Sequence, residues 1–122
     1  MIILENATYD CIKVSLDGNV SANQLHCFAS WHEVVKLVKK SLCSNGAAFT
    51  NNTTEVVLVA APPHPTMRSV RLINIYNADT ATQVVTMKVV KDGVDYLLRK
   101  ASIEKGETMF YVDGSGWGIT QK

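Results

Sequence analysis

Alternation of apolar and polar residues runs along most of the chain. Arg68-Ser-Val-Arg-Leu-Ile-Asn-Ile-Tyr76 and Thr82-Gln-Val-Val-Thr-Met-Lys-Val-Val90 are both rich in β-branched residues. Such side chains are stiff at χ1 and pack well on a pleated surface, so both runs predict strands. Asn77-Ala-Asp-Thr-Ala81 between them reads as a hairpin loop. Asp92-Gly93 predicts a tight two-residue turn, because both residues tolerate positive φ. Val94–Arg99 then returns antiparallel. Turns at Glu104-Lys-Gly-Glu107 and Asp113-Gly-Ser-Gly116 set off two more strands, Thr108–Val112 and Trp117–Thr120. The expectation is a meander of about five strands against which the rest packs.

The first half adds fewer certain elements. In Thr8–Leu16, the residues Ile12, Val14 and Leu16 share one face, which predicts a strand with these three inward. Asp17-Gly18-Asn19 is a turn. Leu25, Cys27, Ala29 and Trp31 alternate with His26, Phe28, Ser30 and His32, predicting a second strand. Residues 31–43 carry two readings. Trp31, Val34, Val35, Val38 and Leu42 also fit a helical stripe, with Ser30 and Glu33 as a capping box and Gly46 as a stop. A strand or one short helix is therefore open there. Gly46–Thr54, rich in Asn and Thr, reads as a surface loop. Glu55–Ala61 is a short apolar run, a buried strand, and Pro62-Pro-His-Pro65 ends it as a crossover between sheets. The fold class is all-β: an antiparallel β-sandwich, jelly-roll-like, with about eight strands in one domain spanning residues 1–122.

Composition narrows the function. A chain of 122 residues that is 47% hydrophobic can enclose its own core. Its net charge of +1 and scattered basic residues, densest at Lys36, Lys39 and Lys40, argue against nucleic-acid binding. Met1-Ile-Ile-Leu-Glu5 does not read as a secretory signal, and no run reaches the roughly 18 apolar residues of a membrane span. Cys11, Cys27 and Cys43 are odd in number and widely spaced, so they read as free thiols.

Candidate chemistry is thin. His26 and Cys27 point to opposite faces of a strand, and His26 and His32 sit about 20 Å apart on one face, so no metal site is expected. No nucleophile elbow surrounds Ser15, Ser30, Ser102 or Ser115, and Cys27 beside His32 reads as a structural thiol. Asp92 with Asp95 and Glu104 with Glu107 flank turns, which turn chemistry explains without a hydrolase. Gly114-Ser-Gly-Trp-Gly118 lacks a following helix and is not a phosphate loop. The motifs at Asn6-Ala-Thr8 and Asn52-Thr-Thr54 match the glycosylation pattern but carry no weight without a secretory signal. No catalytic residue, cofactor, metal or small-molecule substrate is expected.

The second half resembles a recurring group of tailed-bacteriophage virion proteins. The matching stretches are Thr54-Glu-Val-Val-Leu-Val-Ala-Ala-Pro62, Val70-Arg-Leu-Ile-Asn-Ile-Tyr-Asn-Ala-Asp-Thr80, Val85-Thr-Met-Lys-Val89, Tyr96–Arg99, Glu104–Glu107 and Tyr111-Val-Asp-Gly-Ser-Gly-Trp117. Asp10–Leu16 and Gln24–Trp31 look like the usual opening of these small proteins. The chain departs from that pattern between Trp31 and Asn45, where Glu33, Lys36, Lys39 and Lys40 replace Thr-rich runs. The resemblance implies a non-enzymatic β-sandwich of the virion, assembled in the bacterial cytoplasm. Its partner would be the major capsid protein or another virion protein, and it would decorate or cement the capsid, with a tail, neck or fibre module as the alternative. A homo-oligomer is expected, with neither nucleic acid nor membrane as partner. A carbohydrate-binding sandwich using Trp31, Tyr76, Tyr111 or Trp117 as a platform is a third reading. The candidate interface residues are Ile2, Ile3 and Leu4 as an edge-pairing arm, with Trp31, Pro62, Pro63, His64, Pro65, Tyr76 and Trp117.

Overall fold

Ten strands and no helix make up the computed structural model, which describes residues 1–35 and 40–120, the side chains of residues 40 and 41 excepted. They are β1 (Ile2–Glu5), β2 (Cys11–Leu16), β3 (His26–Val35), β4 (Lys40–Phe49), β5 (Val56–Val59), β6 (Thr66–Tyr76), β7 (Gln83–Lys91), β8 (Val94–Ile103), β9 (Thr108–Val112) and β10 (Gly116–Thr120). The larger sheet runs β10-β9-β6-β3-β4. The smaller runs β5-β2-β7-β8. All pairs are antiparallel, so the protein is a β-sandwich.

Strand β6 is the axis of the larger sheet. One edge pairs along its length with β3, from Thr66↔Val35 to Tyr76↔His26. The other edge is shared: β1 covers Met67–Val70, and β9 covers Leu72–Tyr76. The expected inward sets do line the core. Ile12, Val14 and Leu16 face Cys27, Ala29 and Trp31 from the opposite sheet, and all six are buried. Ile73, Ile75, Val85, Met87 and Met109 complete the centre with no exposed surface. Trp31 extends the core toward one end of the sandwich, where the Arg68 guanidinium lies 4.9 Å from its ring centre and pairs with Glu33 at 2.9 Å. Cation and carboxylate thereby cap the edge of an apolar interior.

Three sequence expectations are corrected. The stretch from Arg68 to Thr120 is not a meander. Asn77–Ala81 carries the chain from β6 in one sheet to β7 in the other, and Glu104–Glu107 carries it back from β8 to β9. Only β7-β8 and β9-β10 are hairpins in this half. The reason is side-chain chemistry at the corner. Asn77 donates to the carbonyls of Ala81 (3.0 Å) and Ile103 (2.8 Å), and its own Oδ1 accepts from the Asp79 N–H at 2.9 Å. A buried corner replaces a solvent-facing loop.

The second correction is the Gly46–Thr54 loop. Strand β4 runs through Gly46 to Phe49, paired with β3 residue by residue, and the turn begins only at Thr50. The third concerns residues 31–43. Residues 31–35 and 40–43 are strand, so the short helix does not form there. Residues 36–39, including Lys36 and Lys39 of the expected basic cluster, lie outside the described part. Glu33 caps no helix: it accepts from Arg68 Nε (3.0 Å) and Trp31 Nε1 (3.3 Å). With β1 and β4 added, the count rises from about eight strands to ten.

Other expectations hold. Asp92 and Gly93 both have positive φ, 52° and 76°, and close the β7-β8 hairpin between Lys91 and Val94. Pro62–Pro65 joins β5 to β6 across the sheets, with a cis bond before Pro65. All three cysteines are free.

Candidate docking surface

Every strand has a face that turns away from the core, and in an antiparallel sandwich that face is ordinarily polar. The smaller sheet keeps charge on its outer side: Lys13 and Lys88 reach Glu55 at 3.9 and 3.2 Å, and Lys100 pairs with Asp17 at 3.3 Å, beside the exposed Val57 and Leu97 of the same row.

The larger sheet does not. Register places its outward residues in three rows across β4, β3, β6, β9 and β10. The first is Phe49, His26, Tyr76, Thr108 and Thr120. The second is Ala47, Phe28, Asn74, Phe110 and Gly118. The third is Asn45, Ser30, Leu72, Val112 and Gly116. None of these positions holds Asp, Glu, Lys or Arg. Phe49 is 64% exposed, Tyr76 41% and Phe28 38%. Beside these rows charge returns at Arg71, which pairs with Asp113 at 3.2 Å and whose Nη2 lies 3.3 Å from His32 Nδ1.

The relief of this face is uneven. His26 stands between Phe49 and Tyr76, with ring centres 5.2 and 5.8 Å away. These rings and Phe28 edge a depression of about 420 Å³ floored by Ala47 and Ala48. A second depression of about 320 Å³ lies over β6, β9 and β10, bounded by Leu72, Phe110, Val112 and Thr120. Asn74 borders both. The arrangement offers ring faces, small side chains and amides, which suits shape-matched contact with another apolar surface and no ionic chemistry.

The sequence-predicted interface residues are scattered by comparison. Ile2 and Leu4 are buried: β1 pairs with β6 instead of offering an arm, because its apolar residues alternate into the core, and Ile3 is half-buried on the outer side. Trp31 and Pro62 are buried, while Pro65 is half-buried. Pro63 and His64 are exposed, at the crossover. Trp117 packs on the core 5.1 Å from Tyr111, which is itself buried. Of the four rings considered as a sugar platform, only Tyr76 lies on the uncharged face. Phe28, Phe49 and Phe110 were not singled out by sequence. One signal was present: Thr108-Met-Phe-Tyr-Val112 is apolar on both faces, as a strand covered on both sides would be.

No cluster of three or more His, Cys, Asp or Glu that would hold a metal occurs among the described residues. No helix among them is long and apolar enough to cross a membrane. The two most constrained carboxylates serve the scaffold. Asp79 is buried, which opposes its ionisation, yet four donors outweigh this and hold its carboxyl below the ordinary range. These are the N–H groups of Ser21 (2.9 Å), Ala22 (2.7 Å) and Asn23 (3.1 Å), and Gln83 Nε2 (2.7 Å). Asp10 is likewise buried and lowered, by Lys91 at 2.8 Å, the Thr8 hydroxyl and the Glu5 N–H. Compared with protein-family models, with curated proteins and with solved structures, the chain matches none.

Proposed function

We propose that this protein is a non-enzymatic building block of a tailed-phage virion, a capsid decoration or cement protein that binds its partners through the outer face of the larger sheet. The observation that carries the docking part is the three rows of uncharged, ring-rich positions on a face that solvent alone would make polar. Exposed apolar patches of this kind mark protein contact surfaces. The virion part rests on the resemblance of the strand and turn sequences. The mechanism is burial: repeated weak contacts over a shell sum to tight attachment with no chemical step.

Quantitative mass spectrometry of purified particles tests it. A stoichiometry of one copy per capsid subunit, or per few, supports decoration. A few copies per particle would move the protein to the tail or neck. Absence from particles would end the virion reading. In that case the aromatic depression beside Asn74 makes glycan binding the next assay, since rings with an adjacent amide suit a sugar.

A further inference from the structure

We infer that the uncharged face of the larger sheet seats the same face of a second copy, in an isologous dimer whose two-fold axis runs along β6. This rests on the reading of that face as a docking surface and makes a second copy, not the capsid subunit itself, the partner seated there.

Symmetry supplies the first argument. Along Leu72–Tyr76, strand β6 has two strands on each side, β3 and β4 on one and β9 and β10 on the other; β1 takes the rest of the second edge. A two-fold axis lying in the interface along β6 places β4 of one copy over β10 of its partner, and β3 over β9. An isologous contact needs a patch that is complementary to itself under that exchange.

Shape meets the requirement. The β3-β4 half is raised by Phe49, Phe28 and His26. On the β9-β10 half Thr108, Thr120 and Gly116 are short, and Phe110 lies flat across Gly118 instead of standing proud. The axis lays the raised half of each copy on the thin half of the other. Phe49, the most exposed ring of the face, then meets the first row of β9 and β10, where the depression of about 320 Å³ opens beside Thr120.

Charge and area agree. No position in the three rows is Asp, Glu, Lys or Arg, so two copies meet without like-charge repulsion, and a charged partner finds no counter-ion there. With strands about 4.8 Å apart and a rise of about 3.4 Å, the rows cover roughly 24 by 20 Å. Two copies therefore bury on the order of 1,000 Å², the lower end of specific interfaces. An interface of this size fits a reversible dimer.

Sedimentation velocity of the full chain between about 1 and 200 µM tests this. The expected result is a monomer shifting to dimer with concentration. Phe49→Glu and Thr120→Lys should each weaken dimerisation at least about 30-fold, on the scale of a truncated hot spot. An equimolar mixture of the two variants should regain dimer, because the axis sets residue 49 of one copy against residue 120 of the other. Val57→Glu, exposed on the smaller sheet, should leave the curve unchanged, and circular dichroism checks that each variant folds. A wild-type chain that stays monomeric throughout overturns the inference. So does a dimer indifferent to Phe49→Glu, or a mixture that fails to recover. A monomer found on purified particles would overturn the dimer and leave the virion reading standing. A dimer absent from particles would do the reverse.

Discussion

Phe110 lies across Gly118 on the neighbouring strand, so closely that a Cβ at position 118 would sit 2.5 Å from the ring's Cζ. The ring uses the missing side chain as its bed. Gly118→Ala must tip Phe110 outward, at a cost of about 1 kcal/mol, the low end of overpacking because the ring is only half-buried. Urea unfolding of a double-mutant cycle checks this. Gly118→Ala should cost almost nothing in a Phe110→Ala background. Equal costs in both backgrounds would mean that the ring does not depend on the glycine.

Acid should expose the corner carboxylates. Asp79 and Asp10 titrate below their ordinary value of 3.8 in the folded chain. The unfolded chain therefore binds protons first, so both contribute stability in full above that value. The contribution is lost as pH falls through the folded-state values. Thermal melts between about pH 7 and pH 2 should be flat at first and then fall, and Asp79→Asn should lower the plateau and shallow the acid limb. An acid limb identical in the variant would remove Asp79 from the explanation.

Thiol labelling should follow burial. Cys27 is enclosed in the core, and burial pushes its thiol up to about 12. Cys11 is half-buried and also raised by burial, while Cys43 is exposed on β4. A maleimide should modify Cys43 quickly, Cys11 slowly and Cys27 only on unfolding. Peptide mapping after a short exposure would read this order, and early modification of Cys27 would contradict the packing of β3.

The β7-β8 turn depends on Gly93, whose φ is +76°. A side chain there is strained by roughly 1–2 kcal/mol. Gly93→Ala should lower the urea midpoint by the corresponding amount while leaving the slope unchanged. No loss would place the turn in another conformation.

The inward half of the fold was legible because period-two alternation is a property of one strand at a time. Ile12, Val14 and Leu16, or Cys27, Ala29 and Trp31, announce themselves without their neighbours. Strand β4 did not, since Asn45, Gly46, Ala47 and Ala48 lack both β-branching and alternation; pairing with β3 holds it. The Asn77–Ala81 corner has the composition of a hairpin loop, and only the buried partners of Asn77 and Asp79 distinguish the two. The uncharged face was least legible. Phe28, Phe49, Tyr76 and Phe110 come from four strands, and their meeting is a product of register across the sheet.

On the proposed reading, this uncharged face is covered when the protein is at work. Hydroxyl-radical footprinting of the chain on purified particles, against the dilute free chain, measures it directly. Strong protection of Phe49, Phe28 and Tyr76 is expected, with Val57 and Tyr96 on the smaller sheet labelled as in the free chain. Unchanged labelling of Phe49, Phe28 and Tyr76, with protection on the smaller sheet instead, would contradict it.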